Sequence, residues 1–391
     1  MTSENLDPVR LGVAGLGRGF MLSLPSLRVD PHVRLVACAA PRAASRAAFV
    51  DEFGGNAHDS VEALAADPTV EAVYVATPHQ MHRAHVEALA AGGKALLVEK
   101  PLAITMEDGA AMVAAASRHG VPLITGPSHS FDPPVLAARD LIAAGEIGPP
   151  QMALAFNYTD FLYRPRRPEE LDTAQGGGVL FSQAIHQIDV IRLLMGRPAT
   201  HVTARTGAWD TDRLTEGAYT ALIDFEGGGT ASLTYSGYAH FDSDQWMGDI
   251  SELGHPKPPD AHTATRARIA GLSPDAEAAL KSGRTYGAVA VPDPAPISEH
   301  FGPVIVSGPK GDLRLTPEGV EITHATGRRF TSTPPDPAPR SPVFRALYDT
   351  LRQDRPPPQS GAWGLASLEV VHAILTSART RQTVALTRQG A

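Results

Sequence analysis

Lys100, set between Glu99 and Pro101 after the apolar run Ala95-Leu96-Leu97-Val98, is the first side chain here suited to moving a proton. Alone, a lysine at a strand end is a solvated charge, so its neighbours in the sequence decide its interest. Upstream, Leu11-Gly12-Val13-Ala14-Gly15-Leu16-Gly17-Arg18-Gly19 runs an apolar strand into glycines that allow a tight turn and let backbone N–H groups approach a pyrophosphate. Alone, such a run is as often an ordinary strand-to-helix turn. Between the two lies Val73-Tyr74-Val75-Ala76-Thr77-Pro78, another apolar strand ending in a proline. Downstream, Gly176-Gly177-Gly178 precedes Ser182, His186 and Asp189, spaced i, i+4, i+7 and so on one helix face.

Two competing chemistries fail on the same spacings. A Ser-His-Asp hydrolase needs its serine on a strained elbow beside an oxyanion hole, and no Gly-x-Ser-x-Gly occurs. His79, His82 and His85 invite a metal, yet on a helix His79 and His85 point about 120° apart and cannot share one ion with His82. No metal is expected.

The elements that must carry these groups fall into two patterns. Strands read at Arg10 to Ala14, Val33 to Ala37, Ala72 to Ala76, Ala95 to Val98 and Val121 to Ile124, each apolar on both faces as buried parallel strands are. Helices read between them, as at Thr105 to His119, where Thr105 caps, Glu107 and Asp108 occupy the first turn and Gly120 stops the helix. The alternation predicts an α/β, doubly wound parallel sheet whose ligand sits at the carboxyl ends of its strands. After about residue 128, strands at Gln151 to Tyr158, Val202 to Gly207, Ala218 to Phe225, Thr230 to Tyr235, Val304 to Ser307 and Leu313 to Leu315 predict an open, mostly antiparallel sheet. Helices from about Val179 to Met195 and Trp363 to Arg379 are expected to cover one face of it. The expected division is a dinucleotide-binding domain over 1–128 and an α+β substrate and oligomerisation domain over 129–391. Within the second, 241–300 reads as an insertion with one helix near Pro274 to Ser282, lying over the active-site mouth, at a subunit contact, or simply in solvent.

With the elements in place, the Gly15 turn, Thr77-Pro78 and Glu99-Lys100-Pro101 resemble the Gfo/Idh/MocA family of nicotinamide-dependent oxidoreductases, whose first domain is a Rossmann fold and whose Glu-Lys-Pro lysine sits beside the reacting carbon. The resemblance extends to His186 and Asp189, while Ser182 and Ala184 stand where an Asp and a Gly are usual. Ala76-Thr77-Pro78-His79-Gln80, Ser128-His129-Ser130-Phe131-Asp132 and Asn157 to Pro168 resemble in particular the phthalate 4,5-cis-dihydrodiol dehydrogenases. It implies NAD(H) or NADP(H) held by Gly15, Gly17, Arg18, Gly19, Phe20, Ala40, Arg42, Thr77, Pro78, His79, His82, Glu99 and Lys100. Lys100 and His186 are the expected catalytic pair, and His129, Tyr158, Tyr163, Arg164, Arg166, Arg167, Ser182, His186 and Asp189 are expected at the substrate. His85 is expected in solvent.

Two departures bear on the cofactor. The third small residue of the glycine motif is Phe20, which leaves Gly19 to serve one position early or the packing looser. The second strand ends Cys38-Ala39-Ala40-Pro41-Arg42, with no carboxylate for the ribose hydroxyls and with Arg42 and Arg46 nearby, which favours a 2′-phosphate, whereas the likeness to the phthalate enzymes favours NAD.

The implied reaction is hydride transfer from a cyclic vicinal diol, with Lys100 holding and deprotonating the hydroxyl; beside oxidised nicotinamide its pKa should fall from about 10.4 toward neutrality. His186 would relay the proton or orient the diol, and an Arg among 164, 166 and 167 would fork onto a substrate carboxylate, unless that loop is merely solvated. A sugar or inositol dehydrogenase and a non-catalytic NAD(P)-binding regulator are the alternatives. Composition is compatible: 391 residues, 43% hydrophobic, suit two domains, and a net charge of -8 argues against nucleic acid. Met1 to Asp7 lacks a charged and apolar leader and no apolar run nears 18 residues, so a cytoplasmic protein with a small-molecule substrate and a homo-oligomeric state is expected. Cys38, the single cysteine, reads as a buried inert thiol.

Overall fold

The first sheet forms from five short, mainly apolar runs, β1 (Val9–Ala14), β2 (Val33–Ala39), β4 (Ala72–Val75), β5 (Ala95–Val98) and β6 (Leu123–Thr125), with the polar edge strand β3 (Asn56–His58). In this computed structural model, which describes residues 6–291, 293–334 and 338–390, they are parallel in the order β3-β2-β1-β4-β5-β6. Residues 1–5, on which the expectation of no leader rests, lie outside the described residues. Every residue of β4 and β5 is buried, which explains why they lack alternation: both faces are covered, and each fully buried Val or Leu contributes about 1.5–3 kcal/mol. The order reverses between β1 and β4, so their carboxyl ends flank the crevice where such sheets bind ligands.

The second sheet has nine strands: β7 (Met152–Tyr158), β8 (Ala199–Gly207), β9 (Ala218–Phe225), β10 (Thr230–Ser236), β11 (Val304–Gly308), β12 (Gly311–Thr316), β13 (Gly319–His324), β14 (Gly327–Ser332) and β15 (Val384–Ala385). All neighbouring pairs are antiparallel except β7 with β10. Strands β3, β13, β14 and β15 were not among those expected. β3 and β15 are very short, and β14, Gly-Arg-Arg-Phe-Thr-Ser, is exposed and charged, so no apolar alternation betrays it. Ala153 and Ala155 of β7 are buried under the helix side, while Met152 (56% exposed), Leu154 (38%) and Leu222 (46%) stand on the open face.

The chain divides into two compact units: Met1–Pro127 with Ser282–Pro294 and Arg340–Leu368, and Ser128–Lys281 with Ala295–Pro339 and Glu369–Ala391. A single second domain over 129–391 therefore needs correction. Ser282–Pro294 and Arg340–Leu368 fold onto the first unit through contacts remote in sequence, such as Tyr286 against Phe20 and Phe344 against Tyr74. The 241–300 stretch is also not a plain excursion. Its helix Ala261–Ile269 is fastened by Arg266, which donates to the carbonyls of Tyr238 (2.7 Å) and Ala239 (3.1 Å), and its helix Pro274–Ser282 by Glu277, paired with Arg213. No helix among the described residues is long and apolar enough to cross a membrane.

Candidate active site

In the first unit the strand ends build a cradle. Gly15 has φ +94°, and a Cβ there would come within 2.9 Å of the Ala76 carbonyl oxygen, so no side chain fits between β1 and β4. Gly17 caps the helix Arg18–Leu27 without a side-chain bond, and a Cβ on it would meet nothing within 4 Å. A first turn without a side-chain cap, beside open space at Gly17, fits the pyrophosphate of a dinucleotide. Arg18 is exposed at this first turn. Gly19 is packed closely, since a Cβ there would lie 3.1 Å from Glu99 Oε1, and Phe20 is fully buried with its ring edge-on to Tyr286. Glu99 also accepts a 2.5 Å hydrogen bond from Tyr74, whose hydroxyl pKa rises through burial and then the nearby Glu99 charge. The carboxylate is thereby fixed beneath the glycine turn, and Lys100 follows it, half-buried, before a cis bond to Pro101.

Around β4, Pro78 is exposed, and His79 begins a short 3-10 turn leading into the helix His82–Ala91. Buried His82 has its ring nitrogens 3.1 Å from the carbonyl oxygens of Leu102 and Thr77, tying the loop after Lys100 to the loop after β4. Only an imidazolium could donate to both, and burial lowers its pKa, so the neutral ring donates to one carbonyl. His85 is not in solvent as expected; it is buried and its Nδ1 lies 2.9 Å from Thr77 Oγ1, because the helix turns it back onto the strand end. At the end of β2, Ala40 is buried and Arg42 donates to Thr285 Oγ1 at 2.8 Å.

In the second unit the triple glycine is a backbone crossing. A Cβ on Gly177 would lie 2.7 Å from Asp172 N and Glu169 O, and one on Gly178, at φ +77°, would lie 2.4 Å from Thr215 Oγ1. The following helix begins as a π turn, Leu180–Ala184, and becomes α-helical at Ile185–Met195. Ser182 lies within the π turn, and His186 and Asp189 lie in the α-helix that follows it. His186 Nδ1 lies 3.3 Å from Ser128 Oγ, and its ring meets His129 edge-on at 4.7 Å and Phe301 at 4.9 Å. Asp189 accepts from Ser130 at 2.6 Å. His129 pairs with Asp132 at 2.6 Å. Burial by itself lowers the His129 pKa, but Asp132, joined by Glu299 and Glu252, outweighs it and the net direction is up. His129, Asp132 and Glu299 offer ligand atoms within 4.8 Å of one another, and two of them, His129 and Asp132, form the 2.6 Å bond. The pocket beside them, about 20 Å³, has room for a single water and is too small for a cyclic diol.

A histidine raised in the folded state adds stability below its unfolded pKa, about 6.5, and loses it as pH rises through the higher folded value. Asp132→Asn is therefore expected to cost most stability below about pH 6.5, with the gap from wild type shrinking above it. Urea unfolding between pH 5.5 and 9 measures this; a gap that grows with pH would refute the assignment.

The arginines expected to hold a substrate carboxylate are all engaged by the protein. Arg164 donates to Asp160 (2.9 Å) and Glu252 (3.0 Å), and Glu252 also accepts from Asn157. Arg166 is buried, donating to the Phe161 carbonyl at 2.7 Å with its guanidinium 3.6 Å from the centre of that ring. Arg167 pairs with Glu169 and Glu170. The expected open fork is corrected: Glu252 reaches Arg164 across 88 residues, a pairing that spacing cannot reveal. Tyr163 bonds Asp210 and, with Tyr158, Trp209, Tyr238 and Phe241, lines an open aromatic cleft of about 590 Å³. Ser128, Ser130, Asp132, Phe301 and Tyr74 were not assigned roles from sequence; the Ser128 to Asp132 run was the available signal.

Comparison with known proteins agrees with this arrangement. Residues 9–126 match the oxidoreductase family model with an NAD-binding Rossmann fold, and 135–248 match the GFO/IDH/MocA C-terminal domain. The chain is 44% identical over 375 residues, 94% of each protein, to the 1-carboxy-3-chloro-3,4-dihydroxycyclohexa-1,5-diene dehydrogenase of Comamonas testosteroni. It is 30% identical over 232 residues to the trans-1,2-dihydrobenzene-1,2-diol dehydrogenase of Mus musculus, covering 58% of this chain and 68% of that one. A crystal structure from Bordetella bronchiseptica RB50 superposes with a TM-score of 0.91 at 36% identity, covering 97% of this chain and 100% of that one. The chain belongs to the Gfo/Idh/MocA family and is an oxidoreductase with an NAD-binding Rossmann fold.

Proposed function

We propose that this member of the Gfo/Idh/MocA family oxidises a carboxylated cyclic vicinal diol, with the phthalate 4,5-cis-dihydrodiol as the first candidate substrate. The observation that carries the reading is the near full-length similarity to a dehydrogenase named for a carboxylated dihydroxycyclohexadiene. Bound nicotinamide supplies the hydride acceptor. Lys100 holds the reacting hydroxyl and takes its proton, and His186, oriented through Ser128 Oγ, positions the diol or passes the proton on. Loss of hydride and proton leaves a hydroxy-enone, which tautomerises to a catechol, and aromatisation drives the sequence forward. The test is reduced-nicotinamide absorbance with NAD and NADP against carboxylated and plain arene cis-diols, sugars and inositols. Turnover of the carboxylated diols above the rest is expected; turnover of inositols or sugars alone would replace the reading with a polyol dehydrogenase.

The open face of the second sheet, with Met152, Leu154 and Leu222 exposed, is assigned to a second copy of this chain. Leu154→Arg is expected to lower the solution mass measured by light scattering, and an unchanged mass would remove that face from the interface.

A further inference from the structure

We infer that Ser282–Pro294 is a working part of the nucleotide site, which together with Arg42 seats a phosphate on the 2′ oxygen of the adenosine ribose. The inference rests on the family's placement of that ribose at the end of β2 and is independent of the diol substrate. The segment is fastened at several points to the two helices that follow β1 and β2. Tyr286 N donates to the Leu16 carbonyl inside the glycine turn at 3.2 Å, and the Tyr286 ring packs edge-on to Phe20 at 5.3 Å. Its hydroxyl donates to Glu52 (2.6 Å), and its carbonyl accepts from Ser45 Oγ (2.8 Å). This fastening delivers Thr285 Oγ1 to Arg42 Nη1 at 2.8 Å and sets the Ser282 carbonyl 3.5 Å from Nη2, which aims the guanidinium along the end of β2.

Charge makes the case for phosphate. Arg42 bonds a hydroxyl and a carbonyl, and Arg46 donates to the carbonyls of Ala40 (2.7 Å) and Pro41 (3.0 Å); all these acceptors are neutral. Neither guanidinium forms an ion pair with a carboxylate among the described residues, although the chain carries a net charge of -8 and Arg28, in the same unit, pairs with Glu52 at 2.7 Å. Ala40 supplies no acid to accept from free ribose hydroxyls or to repel a phosphate. An acceptor-only dianion matches these cationic donors, whereas the O–H groups of a free ribose diol would find no carboxylate at Ala40 to donate to.

Calorimetric titration of the full chain with 5′-ADP and 2′,5′-ADP isolates the added phosphate without any turnover. The 2′,5′ compound is expected to bind about ten-fold tighter or more, the range for hydrogen bonds to charged groups, with the advantage shrinking as salt is raised. Arg42→Ala should erase most of that advantage and Thr285→Val should reduce it several-fold, each lowering 2′,5′-ADP affinity much more than 5′-ADP affinity. Equal affinity of the wild type for the two nucleotides overturns the proposal. Retention of the full advantage in Thr285→Val overturns the part given to the 282–294 segment. Binding of neither compound shows that the ribose does not lie at β2, and the proposal falls with that placement while the diol chemistry is still tested by its own assay.

Discussion

Lys100→Met is expected to lower kcat by about 10² to 10⁴ while leaving the dissociation constant for the nicotinamide cofactor within a few-fold of wild type. The size follows from losing a positioned general base, and methionine keeps the length and apolar stem of the side chain while removing its proton acceptor. Sparing of the cofactor follows from the cradle, which is built from other groups: the Gly15 and Gly17 backbone and the Glu99 carboxylate held by Tyr74. Rapid-mixing measurements of bound-cofactor reduction, alongside fluorescence titration of the cofactor, separate the two effects. Near-normal turnover in the variant would take Lys100 out of the mechanism, and a collapse of cofactor binding would recast it as a cofactor ligand.

Glu277→Ala is expected to cost about 3–5 kcal/mol of stability, the range for breaking a buried ion pair by removing one partner. Both carboxylate oxygens of Glu277 are taken by Arg213, at 2.8 and 2.9 Å, and Oε1 also accepts from the Arg166 backbone N–H at 2.7 Å. The two side chains are only 8% and 9% exposed, so the variant leaves a guanidinium buried with no counter-charge and an N–H without its acceptor. Urea unfolding reports the total. Limited proteolysis shows whether the loss is concentrated in the helix Pro274–Ser282, where cleavage should become faster. A double variant, Arg213→Met with Glu277→Leu, should recover much of the loss, because it removes both buried charges. A single-variant cost below about 1 kcal/mol would mean that water reaches the pair.

What the sequence determined by itself is everything that depends on near neighbours. Parallel strands announce themselves through continuous burial, as in Ala95-Leu96-Leu97-Val98, and glycines at forced positions, such as Gly15, mark where backbone must approach backbone. The glycine turn after β1, the strand that leads into Glu99-Lys100-Pro101 and the helix bearing His186 were legible for that reason. Tertiary structure decided whatever depends on partners distant in the chain. Arg164 reads as available to a substrate carboxylate until Glu252, 88 residues away, is brought against it. The packing of Gly19 against Glu99 and of Phe20 against Tyr286 likewise joins residues far apart in the chain. Ser182 lies in a π turn and His186 in the α-helix after it, a change that leaves no mark in composition. Local patterns set element type because burial and backbone geometry act over a few residues, while charge pairing acts across whatever the fold brings within a few ångströms.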